Sequence, residues 1–87
     1  MKTIKELKNP DVITVNGKKF QVIENITSWY YVDKDELEMA VELVEFGTKS
    51  ITPNHRLTYF EKNLEKIKFF ALEKKGFEEV KIDSYEF

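Results

Sequence analysis

One histidine, no cysteine and three widely spaced glycines set narrow limits on the chemistry this chain can perform. His55 has no second imidazole with which to share a metal ion, and no His-x-x-x-His pair is present. As a general base it would have to serve Ser28, Ser50, Ser84 or a threonine, and none of these lies in a nucleophile elbow. In Thr52-Pro53-Asn54-His55-Arg56 it is expected to be a solvated side chain or a local hydrogen-bonder in a polar turn or helix start. Without cysteine there are no disulfides, thiolate metal ligands or thiol nucleophiles. Gly17, Gly47 and Gly76 stand too far apart to form one phosphate-cradling loop. The chain therefore reads as a non-enzyme, with no catalytic residue, no cofactor and no metal site expected.

Carboxylates are the most abundant reactive groups. Asp33, Asp35, Glu36, Glu38, Glu42 and Glu45 form an acidic block in which Lys34 is the single cation. Asp33-Lys34-Asp35-Glu36 lacks the glycine and the spaced oxygen ligands of a calcium loop. Alternate glutamates are what a solvated strand face requires, and docking of a basic partner is the functional use they permit.

Trp29-Tyr30-Tyr31 is the other cluster with binding potential. Alternate strand residues face opposite ways, so at least one of the three must point outward. Aromatics on a strand, with lysines such as Lys18 and Lys19 nearby, can stack bases or grip a peptide. The competing demand is packing: a small barrel needs large side chains inside, which favours Trp29 as a core or core-rim residue.

Composition bounds the partners. With 87 residues, 41% hydrophobic and 34% charged, the chain is expected to be one soluble globular domain, 1–87. A net charge of −2 gives no global pull on nucleic acid or anionic lipid. No apolar run approaches a membrane span, and Met1 to Lys8 interleaves charges with apolar residues, unlike a secretory signal. A cytoplasmic location is expected, so Asn25-Ile26-Thr27 is read as a chance match to the glycosylation pattern. High Lys and Glu with a single Gln and no Cys follows the bias of heat-loving organisms, although five asparagines run against it.

The elements that must position these residues begin with a short helix or arm over Met1 to Lys8, ended by Asn9-Pro10. Val12–Val15 and Phe20–Ile23 flank Asn16-Gly17, the strongest hairpin signal in the sequence. From Asp33 onward two patterns compete. One is helical: Asp33 and Glu36 form a capping box for a helix near 34–46. A second helix near 53–75 then carries Leu57, Phe60, Leu64, Ile67 and Ala71 on one stripe. The other has a period of two, with Leu37, Met39, Val41 and Leu43 alternating with Glu36, Glu38, Ala40 and Glu42. It continues as strands over 56–60, 66–72 and 79–83, with turns at Lys62-Asn63 and 73–76.

Only two alanines occur, while Val, Ile, Phe, Tyr and Thr abound, which favours strands. The expected fold is mainly β: a small SH3-like barrel or strongly bent antiparallel meander with a short N-terminal helix. The alternative is an α+β fold with the two helices, the hairpin and a C-terminal strand.

For function, the expectation is a small non-catalytic binding or adaptor module. It would engage a protein, a peptide or, less favoured, single-stranded nucleic acid through Trp29, Tyr31, Lys18 and Lys19. The alternative is an assembly subunit that docks through segment 33–45 (Asp33, Asp35, Glu36, Glu38, Glu42) onto a basic partner or onto itself. A monomer or a homodimer fits either reading, and no membrane partner is expected.

Overall fold

Asn16 and Gly17 take φ of 52° and 78°, the pair of positive angles that a type I′ turn needs. They join β1 (Val12–Val15) to β2 (Lys18–Tyr31) with Val15 opposite Lys18. The computed structural model describes residues 2–87, and the hairpin opens a run of antiparallel neighbours. After β2 come β3 (Glu36–Glu45), β4 (His55–Phe60), β5 (Asn63–Glu73) and β6 (Gly76–Val80). A two-residue β7 (Tyr85–Glu86) returns to pair with β1. The sheet order is β6-β5-β4-β3-β2-β1-β7, a curled half-barrel meander.

The period of two over 36–44 governs this region. Along β3, Leu37, Met39, Val41 and Leu43 point to the inner face, and Glu36, Glu38, Ala40, Glu42 and Val44 point outward. These faces follow from the ladder to β4, which sets Val41 opposite Leu57 and Ala40 opposite Thr58. The helices near 34–46 and 53–75 do not form. Gly47 lies in the loop after β3, and Gly76, with φ of 118°, opens β6 out of the Glu73–Gly76 turn. Thr52 and Pro53 belong to the β3–β4 connection rather than to a helix start. The N-terminal helix is reduced to one 3-10 turn, Ile4–Glu6, where the Glu6 carboxylate accepts from both the backbone N–H and the hydroxyl of Thr3. Met1, included in the sequence reading of that helix, lies outside the described residues.

Two bulges bend β2. The β2–β3 register slips between Val22 and Glu24 and again between Thr27 and Trp29, leaving Ile23 and Ser28 as the extra residues. The bending lets one sheet bury its inner face against itself. Ile13, Val15, Phe20, Val22, Val41, Leu43, Leu57, Tyr59 and Phe69 form a single buried cluster. The ladder stops short of a closed barrel, because β6 does not pair with β7. Apolar residues from outside the long strands fill the gap: Ile4 and Leu7 are buried in the cluster, and Ile82 and Phe87 pack against it.

Asn16 fastens that closure. Its Nδ2 donates to the Lys81 carbonyl, its Oδ1 accepts from the N–H groups of Asp83 and Ser84, and its own N–H donates to the Ser84 carbonyl. Asn16→Gly keeps the positive φ but deletes the three side-chain bonds, so it should cost about 1–3 kcal/mol in urea unfolding. Gly17→Ala has open space for its methyl group and should cost only the left-handed backbone penalty, about 1–2 kcal/mol. Amide exchange separates the two effects: Asn16→Gly should deprotect Ser84, and unchanged protection there would contradict the fastening role.

Candidate functional site

The second bulge in β2 decides which aromatics face out. Beyond Ser28, Trp29 pairs with Glu38 and Tyr31 with Glu36 on the outer face, while Tyr30 pairs with Leu37 on the inner face. Trp29 is 63% exposed, so it is neither core nor core rim. Barrel filling falls instead to Phe20, Tyr59 and Phe69. On β4, Phe60 stands opposite Glu38, and its ring centroid lies 6.0 Å from that of Tyr31. Trp29, Tyr31 and Phe60 thus share one end of the outer face with Glu36 and Glu38. A cleft of about 260 Å³ runs beside them, lined by Trp29 to Lys34.

The next turn of chain is held by one carboxylate. Asp35, at φ of 50°, accepts a 2.6 Å hydrogen bond from the Tyr30 hydroxyl and pairs with the Lys62 ammonium at 3.2 Å. The Tyr30 bond and then Lys62 hold the Asp35 carboxyl below its ordinary range, and the same bond raises the Tyr30 phenol. Lys34 lies 5.9 Å from the Tyr31 ring centroid. Segments 33–38 and 61–62 therefore carry five carboxylates (Asp33, Asp35, Glu36, Glu38, Glu61) against two ammonium groups (Lys34, Lys62), and Lys62 is already engaged by Asp35.

The acidic block is not one docking strip. Asp33 is exposed in the turn, Asp35 is occupied, and Glu42 is only 7% exposed. Glu42 accepts from Arg56 Nε at 3.0 Å and pairs with its terminal nitrogen at 2.8 Å. Arg56 in turn lies over Phe77, 4.4 Å from the ring centroid. Glu42 is thus a structural partner on the outer face, because removing one member of a buried pair leaves the other uncompensated. Glu36 and Glu38 are the members of the block that stand beside the aromatics. Lys18 and Lys19 lie at the opposite end of β2, at the hairpin turn, with nine residues, about 30 Å of strand, between them and Trp29.

A second cleft, of about 450 Å³, opens at the mouth of the half-barrel over Leu7, Asn25, Met39 and Tyr59. Its polar groups are already committed. Asn25 Nδ2 donates to the carbonyls of Ile4 and Leu7, and Asn25 Oδ1 accepts from the Tyr59 hydroxyl at 2.8 Å. The amide of the apparent glycosylation pattern is thereby tied into the fold. At the rim Lys5 and Lys8 face Glu6 and Glu61, so no net charge selects a ligand.

The sequence places His55 in a polar turn or helix start. Its ring instead leads β4 on the inner face, with centroids 4.7 Å from Phe20 and 5.6 Å from Phe69, and Nδ1 at 2.7 Å from Asn54 Oδ1. It is a local hydrogen-bonder, but a packed one. Among the described residues no group of three or more His, Cys, Asp or Glu side chains is placed to hold a metal ion, and no helix is long and apolar enough to cross a membrane. No family model, curated protein or solved structure matches the chain.

Burial pushes the His55 imidazole below its ordinary 6.5; Lys18 adds to this, while Glu45 and Glu73 oppose it. The folded state therefore binds a proton less readily than the unfolded chain. Stability should be complete above about pH 6.5 and decline as pH falls from there towards the depressed folded value. Urea midpoints between about pH 5 and 8 should show this slope, and His55→Phe should flatten it. An unchanged slope in His55→Phe would contradict the burial of the ring.

Proposed function

We propose that this chain is a non-catalytic binding module that takes a basic protein or peptide segment on the outer face formed by Trp29, Tyr31, Phe60, Glu36 and Glu38. The observation that carries the reading is an exposed tryptophan whose cross-strand neighbour is a glutamate. Exposed aromatic faces attract Lys and Arg cations, most strongly on Trp, by about 0.5–2 kcal/mol each. Adjacent carboxylates add charge-assisted hydrogen bonds and steer a cationic segment on approach.

The same juxtaposition argues against nucleic acid, because stacking platforms for single strands are flanked by basic residues that track the phosphates. Here the lysines of the hairpin are a strand's length away. The aromatic surface and the acidic-segment reading thus converge: Glu36 and Glu38 belong to the surface that Trp29 and Tyr31 define. In this reading the module works in the cytoplasm, in keeping with a chain that uses no disulfide.

The single tryptophan supplies the assay. Titration with a lysine- and arginine-rich peptide should quench or shift Trp29 emission, and an acidic peptide of equal length should not. By calorimetry, Trp29→Ala should weaken binding about tenfold. Glu38→Gln should weaken it less and lower its salt dependence, while both variants keep the wild-type unfolding free energy in urea within about 0.5 kcal/mol. Affinity and salt dependence unchanged in Trp29→Phe and in Glu38→Gln would remove this surface from consideration.

A further inference from the structure

Among the described residues the half-barrel leaves several strand edges free, and they are not protected alike; the part of β5 that runs past β6, from Asn63 to Lys68, carries Glu65, Lys66 and Lys68. β6 carries Glu78 and Glu79 along its edge, and β7 is two residues long with Glu86 as one of them. Short length and charge are the usual devices that keep an edge from pairing with another chain. Another edge, on β2, is internal to the sheet order. β1 covers β2 only from Lys18 to Gln21, and the Val22 N–H donates to Asp11 just beyond. From Glu24 to Tyr31, β2 pairs with β3 on one side, and among the described residues no backbone partner lies on the other. Within this stretch Asn25-Ile26-Thr27-Ser28-Trp29-Tyr30-Tyr31 contains no charge, no proline and no glycine. It is rich in β-formers, and Ile26, Trp29 and Tyr30 are exposed on it.

We infer that a second copy of this chain pairs antiparallel along that edge, joining two half-barrels into one continuous sheet. The faces of β2 allow it. Ladder pairing puts Glu24, Ile26, Trp29 and Tyr31 on the outer face and Asn25, Thr27 and Tyr30 on the inner face. A two-fold axis between Thr27 and Ser28 sets Ile26 opposite Trp29 of the second copy, Asn25 opposite Tyr30, and Glu24 opposite Tyr31. Each of these pairs matches outer with outer or inner with inner, as a continuous sheet demands, and the register uses all eight free residues. Two isoleucines and two tryptophans then stand side by side across the axis on the outer face, shielding the edge-side flanks of Ile26 and Trp29, which are 41% and 63% exposed in the single chain.

Two further features favour a copy over a foreign strand. The bulge at Ser28 bends the edge, and a strand that follows it must bend alike; a second copy brings the same bulge at the same place. The acids do not oppose the contact. Glu38 lies one strand inward, so the two copies of Glu38 are three strand spacings apart, about 14 Å. That exceeds the screening length of about 8 Å at physiological salt. The outer faces of both copies stay open, so the pairing does not depend on what docks beside Trp29.

Sedimentation of the ligand-free chain from about 10 µM to about 1 mM should show a concentration-dependent rise from one 10.4 kDa copy towards two. Amide exchange at the upper concentration should protect the edge-facing N–H groups within Ile26–Trp29. Ile26→Glu brings two carboxylates together at the axis and should weaken the dimer about tenfold or more. A chain monomeric throughout overturns the inference, as does a dimer whose Ile26–Trp29 amides stay unprotected or whose affinity is unchanged by Ile26→Glu. Should that variant unfold, the exchange pattern of the wild type decides alone. Protection that appears in a monomer only on adding an extended peptide would assign the edge to a foreign strand instead.

Discussion

An antiparallel sheet with no helix to cover it can bury an inner face only by curling, and in this chain the curl depends on how β2 bends. Fourteen residues of β2 span the sheet from the Asn16-Gly17 turn to the Tyr31 end, bent by the bulges at Ile23 and Ser28. Because the curl does not close, a hydrogen-bonded seam is replaced by apolar plugs: Ile4 and Leu7 on one side, Ile82 and Phe87 on the other. Asparagine side chains hold these in place, Asn25 for the N-terminal turn and Asn16 for the segment after β6. Both do so by satisfying backbone groups that a gap in the ladder leaves without partners.

The same bend determines what is left outside. Near the hairpin, β2 has β1 on one side and β3 on the other, and its inner residues Phe20 and Val22 are buried. Beyond Val22 the strand runs past β1, and after the second bulge its aromatic residues emerge on the outer face beside the glutamates of β3. The end of the sheet that contributes least to the core carries the exposed tryptophan, the unpaired edge and the excess of carboxylate. The middle of the outer face is organised differently, since Glu42 and Arg56 neutralise each other there beside Phe77.

Local signals in the sequence were legible where one residue type had one physical meaning. Asn16-Gly17 specified a hairpin because both residues accept positive φ. The alternation from Leu37 to Leu43 competed with a helix-capping pattern at Asp33 and Glu36, and the scarcity of alanine beside abundant β-formers decided for a strand. The turns at Lys62 and at 73–76 followed from the strand pattern. What was hidden depended on register. A bulge adds one residue without any distinctive residue type, so nothing in Thr27-Ser28-Trp29 announced that Trp29 would face solvent. The length of β2 was equally silent, and with it the distance between Lys18, Lys19 and Trp29. Glu42 looked like its solvated neighbours because its partner, Arg56, is fourteen positions away in sequence. His55 looked solvated in a polar segment because Phe20 and Phe69, which enclose it, come from other strands.

We propose that ligand recognition belongs to the aromatic and acidic end of the outer face. A backbone amide chemical-shift map recorded during titration with a lysine-rich peptide tests it most directly. Shifts should concentrate at Trp29, Tyr31, Glu36, Glu38 and Phe60, and the hairpin at Lys18 and Lys19 and the cleft at Asn25 and Tyr59 should stay unmoved. Shifts centred on the hairpin or on that cleft would contradict it.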